Sequence, residues 1–244
     1  MFFFRSKPKP ILSDLIPQGY HDIHAHWLPG IDDGAPDPQT SAQLLQQMHS
    51  YGFGSYTATP HIFQQVWDNS PASIHQAYTR LLDEQPELAA FSLHTAAEYM
   101  LDENVVEQAH DKTLLCLRDR YVLIEFSYMD APIHWEQLIF EIQLAGYTPV
   151  LAHPERYVYW RRHFDNYAKV KDKGCLLQMN LLSSTGYYGP EALDLAGQLL
   201  QQGMIDCVGS DIHHQRHIDA FQRPIQVKNV SALEQAFQHP LNQK

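Results

Sequence analysis

With 244 residues, 28.1 kDa and a 44% hydrophobic fraction, the chain has the size and composition of one large globular domain, and no apolar run approaches the roughly 18 residues of a membrane span. A formal net charge of −11 excludes a nucleic-acid groove made by bulk basicity, because backbone binding relies on Lys and Arg to neutralise phosphates. Cys116, Cys175 and Cys207 are far apart, form no C-x-x-C and cannot all pair within the chain, which suits a reducing cytoplasm.

The opening MFFFRSKPKP has three phenylalanines where a secretory core needs about 7 to 15 apolar residues. Residues 1–17 therefore read as an N-terminal tail and residues 18–244 as a single domain. Phe2, Phe3 and Phe4 beside Arg5, Lys7 and Lys9 suit a membrane surface or a partner, or packing of the terminus on its own domain. Short β-like runs follow at 20–24, 55–59, 91–98, 121–126, 148–153, 175–180 and 205–210. Between most of them lie helix-like segments, PQTSAQLLQQMHSYGF, SIHQAYTRLLDEQ, ENVVEQAHDK, HWEQLIFEIQLAG, FDNYAKVKDKG and PEALDLAGQLLQQG, several opened by Pro, Ser or Asp and closed by Gly. Repeated β-α alternation implies a parallel sheet, and seven units favour a closed or nearly closed α/β barrel over an open doubly wound sheet. No G-x-G-x-x-G or P-loop follows any run.

In a parallel barrel, reactive side chains gather at the C-terminal strand ends. The first run ends in HDIHAHWLPGIDDG, where Asp22, His24 and His26 fall on alternate residues and are expected to share a face, with Asp32 and Asp33 in the adjoining loop. Later runs end on His61, Glu98, Glu125, His153 with Arg156, Asn180, and Asp211 with His213. Any one of these alone reads as a capped or hydrogen-bonded polar residue. As a set on one rim they are the donors that hold Zn, Mn or Fe, and His24, His26, Asp33, His61, Glu98, Glu125, His153, Asp211 and His213 exceed the need of one ion, so two or three are expected. Histidines on helices or early in strands, such as His49 and His75, read as background, while His214 and His217 stand close enough to support the rim.

These motifs resemble the PHP (polymerase and histidinol phosphatase) superfamily and, within it, the bacterial CpsB/YwqE-type metal-dependent protein tyrosine phosphatases. DIHAHWLPGIDDGAPD, TPHI, AAEYML, LIEF, LAHPERY, LQMN and GSDIHH stand in family order over roughly residues 20–215. The resemblance implies a distorted seven-stranded (β/α)7 TIM-like barrel with up to three divalent ions, manganese first, with iron, zinc or magnesium as alternatives. His24, His26, Glu98 and Asp211 would hold the first ion; bridging Glu98, Glu125 and His153 the second; Asp33, His61 and His213 the third. Arg156 matches an arginine that contacts the substrate phosphate. A second family arginine stands beyond the last motif histidine, and Arg216 substitutes for it here with altered spacing. The implied partner is a phosphotyrosine protein, a tyrosine kinase of capsular or exopolysaccharide export dephosphorylated on its tail; the oligomeric state is left open.

The chemistry fits a phosphate ester. Asp33, Glu98, Glu125 and Asp211 supply −4 against the +6 of three divalent ions, leaving a cationic pocket in which a metal-bound hydroxide would attack directly. Thiol phosphatases need Arg six positions after Cys, but Val122, Leu181 and His213 stand there. A phosphatase for a small monoester such as histidinol phosphate, and a non-catalytic metal-stabilised phospho-binding module, are the rival readings; a nuclease would need a basic track.

Overall fold

The computed structural model describes residues 9–243, so Phe2, Phe3 and Phe4 of the predicted tail lie outside the described residues. The remainder of that segment is packed on the body: Ile11 bridges Pro224, a 3-10 turn spans Leu12–Leu15, and Leu12 and Ile16 are buried.

Strands and helices then alternate in a mixed α/β fold: β1 (Tyr20–Ala25), α1 (Pro38–Ser50), β2 (Phe53–Ala58), β3 (His61–Ile62), α2 (Pro71–Glu84), β4 (Ser92–Thr95), β5 (Glu98–Met100), α3 (Glu103–His110), β6 (Tyr121–Glu125), α4 (Trp135–Leu144), β7 (Thr148–Ala152), α5 (Asp165–Asp172), β8 (Leu176–Asn180), α6 (Pro190–Gln201), β9 (Cys207–Gly209), α7 (Gln215–Ala220) and α8 (Val230–Ala236). Local chemistry starts several helices. Asp37 accepts from the Thr40 N–H at 2.7 Å just ahead of Pro38, Ser70 and Ser73 form a reciprocal capping box, and Asp102 accepts from the Val105 N–H.

Every strand pairing is parallel, in two sheets of order β1-β2-β4 and β3-β5-β6-β7-β8-β9. Seven runs were expected, and nine short strands form among the described residues, because the run at 91–98 splits into β4 and β5 and β3 forms just beyond the run at 55–59. Thr59 and Pro60 separate β2 from β3, where proline has no N–H to continue the ladder, and Ala96 and Ala97 separate β4 from β5. Hydrogen bonds cross both breaks: Ala96 N–H donates to Ala58 O at 2.8 Å and Glu98 N–H to Pro60 O at 3.1 Å. The chain after β9 also rejoins β1, with Asp211 N–H donating to His24 O and His26 N–H to Ile212 O, each at 2.8 Å.

Val122, Ile124 and Leu151 pack in the main core with Leu138, Ile139 and Ile142 of α4. The alternate residues Leu123, Val150, Ala152 and Cys207 form a separate buried group with Ile23. Residues two apart on a strand share a face, so Glu125 continues the Leu123 face one step nearer the C-terminal end, and apolar packing thus forms a floor beneath the polar rim. No helix among the described residues is long and apolar enough to cross a membrane.

Candidate metal centre

His24 and His26 reach the rim from β1, but Asp22 does not join them. A register shift between Asp22 and Ala25 breaks the two-residue alternation on which the shared face rested. Asp22 instead accepts hydrogen bonds from the Ser210 N–H, at 2.9 Å, and from the Ser210 hydroxyl, tying β1 to the loop after β9. Two glycines make the space for the histidines. A Cβ on Gly209 would stand 2.7 Å from His24 Cβ, and one on Gly34 would stand 2.0 Å from His26 O, so neither position accepts a side chain without displacing a rim residue.

His61 and Glu98 open β3 and β5 instead of closing strands, and they face one another in register. Glu125 ends β6. His153 and Asp211 follow β7 and β9 with φ of 34° and 51°, sparsely populated values for residues with a side chain, which turn both donors back over the strand ends.

The side chains converge in overlapping groups. His24 Nε2 stands 3.3 Å from Glu98 Oε2, 3.4 Å from Asp211 Oδ1 and 3.3 Å from His26 Nε2, while His26 Nε2 is 3.4 Å from Glu98 Oε2 and 3.5 Å from Asp211 Oδ1. Donors around a tetrahedral ion with bonds of 2.0–2.1 Å are about 3.4 Å apart, so these four atoms have the spacing of a ligand shell. Beside them, Glu98 Oε1 is 3.0 Å from His153 Nε2, and His61 Nδ1 is 2.9 Å from Glu125 Oε1 and 3.2 Å from Glu98 Oε2. On the outer side, Asp33 Oδ1 is 3.4 Å from both His61 Nε2 and His213 Nε2, and the His213 ring stacks on His26 at 3.9 Å. His61 thus turns one nitrogen to Glu98 and Glu125 and the other to Asp33.

Glu98 is the test of whether a metal fits. It is 0% exposed, and neither oxygen accepts a hydrogen bond of good geometry; the buried Nδ1 atoms of His61 and His153 likewise have no hydrogen-bond partner. The Glu98 oxygens are close to His24 Nε2, His26 Nε2, His61 Nδ1 and His153 Nε2 but misaligned with them, grouped as donors are around a cation. A buried carboxylate without such a partner would be costly. The imidazoles are oriented for the same role. The His24 Nδ1–H donates to Gln178 Oε1 at 2.7 Å and the His26 Nδ1–H to Asp32 Oδ2 at 2.8 Å, leaving both Nε2 lone pairs toward Glu98.

Burial would depress the His24 imidazole, but the Glu98 and Asp211 carboxylates outweigh it and lift its pKa to about 10. Burial pushes the Glu98 carboxyl upward, and His24, His153 and His26 override it and hold the group well below its ordinary range. A cation at these donors would therefore compete with a proton on His24.

At the mouth, Arg156 Nη1 donates to Asp211 Oδ2 at 3.1 Å, and its guanidinium lies between the rings of Tyr128 and Tyr188, 4.4 and 4.2 Å from their centroids. Asn180 Nδ2 donates to the same Asp211 oxygen at 2.7 Å. Arg216 lies apart from this network, exposed in the first turn of α7. His217 is buried beneath the rim, where burial lowers its imidazole to about 3 and its Nδ1 accepts from the His213 N–H. Tyr128 and Tyr188 carry no sequence signal of a site, and Gln178 stands in the LQMN motif with no role read for it. Asp32 was visible beside Asp33 but not its bond to His26.

The sequence profile of a family described as capsular polysaccharide synthesis, CpsB/CapC, matches residues 20–235. The tyrosine-protein phosphatase YwqE of Bacillus subtilis strain 168 is 33% identical over 198 residues, covering 79% of this chain and 77% of that protein. The tyrosine-protein phosphatase CpsB of Streptococcus pneumoniae is 26% identical over 200 residues, covering 79% and 82%. Among solved structures, a chain from the crystal structures of YwqE and CpsB, described as metal-dependent tyrosine phosphatases, superposes with a TM-score of 0.76 at 30% identity, covering 91% of this chain and 89% of that one.

Proposed function

This chain belongs to the CpsB/CapC family of capsular polysaccharide synthesis, and from that membership and the site we infer that it is a metal-dependent protein tyrosine phosphatase. The observation that carries the reading on the side of chemistry is Glu98, a fully buried carboxylate set among His24, His26, His61 and His153 and served by no hydrogen-bond donor of good geometry.

The finer reading is a distorted seven-stave barrel, with β2 and β3 forming one stave and β4 and β5 another, supported by the hydrogen bonds across both breaks and from the chain after β9 to β1. Two or three divalent ions, manganese first, would be held by His24, His26, Glu98 and Asp211; by Glu98, Glu125 and His153; and by Asp33, His61 and His213. When bound, such ions lower the pKa of water and offset the phosphoryl charge. Arg156 presents its remaining N–H groups to the phosphoryl oxygens, oriented by Asp211 and by the two tyrosine rings. Arg216 adds positive charge at the outer edge. Asp32 and Gln178 keep the imidazole protons of His26 and His24 turned away from the reacting phosphate. Cys175 and Cys207 are buried, and burial raises their thiols, so neither suits nucleophilic attack. A substrate on the tail of a polysaccharide-export tyrosine kinase, in a reducing cytoplasm, agrees with the family and with the three free thiols.

The test compares a phosphotyrosine peptide with histidinol phosphate on metal-free protein reloaded with Mn, Fe, Zn or Mg. Hydrolysis of the peptide in preference, abolished by a chelator, is expected. Preference for histidinol phosphate would shift the reading to a small-monoester phosphatase, and tight peptide binding without turnover to a phospho-binding module.

A further inference from the structure

Between β6 and α4 runs a loop, 126–134, that covers one side of the metal-ligand cluster. Tyr128 spans it from inside to outside. Its hydroxyl is 3.4 Å from His153 Nε2, one ring face receives the Arg156 guanidinium, and the residue is 44% exposed. The partner tyrosine of that sandwich is placed differently: the Tyr188 hydroxyl accepts from Asn180 Nδ2 at 3.0 Å, which ties it inward. Beyond Tyr128 the same loop exposes Met129 at 88% and Ile133 at 92%, so three of the seven large exposed apolar side chains among the described residues lie on this one loop beside the mouth. Apolar groups gathered at a polar rim mark a surface that something covers.

We propose that Tyr128 is a specificity-determining residue, its ring forming the wall on which the aromatic ring of an aryl phosphate packs, with Met129 extending that wall toward the flanking peptide. The proposal rests on the phosphatase reading above. A phosphoryl group held near His153 and Arg156 leaves its ester substituent to pass along Tyr128 on the way to solvent. A phenyl ester keeps a flat apolar ring at that depth, where it meets the tyrosine in an offset or edge contact. The short alkyl arm of phosphoserine has nothing to place there. The two tyrosines therefore divide the work: Tyr188 backs the arginine from within, and Tyr128 faces the substrate.

The experiment measures binding of phenylphosphonate and methylphosphonate by calorimetry to metal-loaded wild type, Tyr128→Ala and Tyr128→Phe, beside kcat/KM on phosphotyrosine and phosphoserine peptides and the metal content of each. An aromatic contact of this kind is worth roughly ten-fold. Tyr128→Ala is expected to weaken phenylphosphonate by about that factor more than it weakens methylphosphonate and to narrow the phosphotyrosine preference equally, whereas Tyr128→Phe keeps both ratios. Unchanged ratios in Tyr128→Ala, or equal weakening of both phosphonates, would overturn the proposal, the latter because Tyr128 would then act only through Arg156. Wild type that carries metal but hydrolyses no phosphotyrosine defeats the phosphatase reading itself, a result distinct from either.

Discussion

Glu98 of β5 and Asp22 of β1 are both fully buried carboxylates, yet their surroundings are opposite. Asp22 has a backbone N–H and a hydroxyl of Ser210 aimed at its oxygens, so its polar demand is met within the chain. Glu98 is ringed by imidazole nitrogens and lacks any well-aligned donor. The first arrangement closes a loop onto a strand; the second has the donor set that a cation would complete. Burial alone therefore does not separate the two acids, and the donors that face each of them do.

The sharpest way to break this comparison is to neutralise each acid. Glu98→Ala should lose turnover and metal together, below detection on a phosphotyrosine peptide, because it removes the carboxylate shared by the two inner donor groups. Elemental analysis finding full metal occupancy in an inactive Glu98→Ala would defeat the ligand assignment.

Next in size is Arg156→Ala, which should keep its metal and lose roughly 10² in turnover, the scale of one charge-stabilising donor. Arg156→Lys should recover only part, since a point charge cannot replace the planar fork. Steady-state rates with parallel metal analysis decide the matter, and wild-type rates in Arg156→Ala would remove it from the site.

Asp22→Asn, by contrast, should retain metal and most turnover. Its signature lies in the pH dependence of stability. Burial lifts the Asp22 carboxyl to about 6 despite the Ser210 donors, so the folded protein holds that proton more tightly than the unfolded chain, in which the group titrates near 3.9. The stabilising contribution is full below about pH 4 and is lost as pH rises through about 6, an effect of up to ~3 kcal/mol. Urea unfolding of metal-free protein across that window should show a flatter profile for Asp22→Asn than for wild type; identical slopes would show that Asp22 does not titrate there.

Replacing Cys116, Cys175 and Cys207 by Ser or Ala one at a time should change turnover least, within a few-fold. A single thiol variant that is folded, metal-loaded and inactive would restore a cysteine mechanism.

Much of this was legible in the residues. The six helix-like segments correspond to α1 to α6, because Pro, Ser or Asp at an opening and Gly at a close are local signals. The short α7 and α8 lacked that length of pattern. The donor set was readable because charged and imidazole side chains after apolar runs demand partners. The alternation of Asp22, His24 and His26 misled, because a register shift is a property of the pairing with β2 and not of β1 alone. The breaks at Pro60 and at Ala96 and Ala97 moved His61 and Glu98 from strand ends to strand starts. Tyr128, Tyr188 and the bonds from His24 to Gln178 and from His26 to Asp32 depend on which segments meet in space, which no spacing within the chain encodes.

Asp211 has one oxygen turned to His24 and His26 and the other accepting from Arg156 and Asn180. With a cation on Oδ1 and a phosphate on Arg156, a single carboxylate would belong to two binding equilibria. A cation on Oδ1 would draw charge from the carboxylate, weaken the hold of Oδ2 on the guanidinium and free Arg156 for a phosphate. Free-energy linkage makes the effect mutual, so inorganic phosphate should tighten metal retention by the same factor by which metal tightens phosphate. Product leaving the site would loosen the ions that helped to form it, and cellular phosphate would set how much of the protein stays loaded between turnovers.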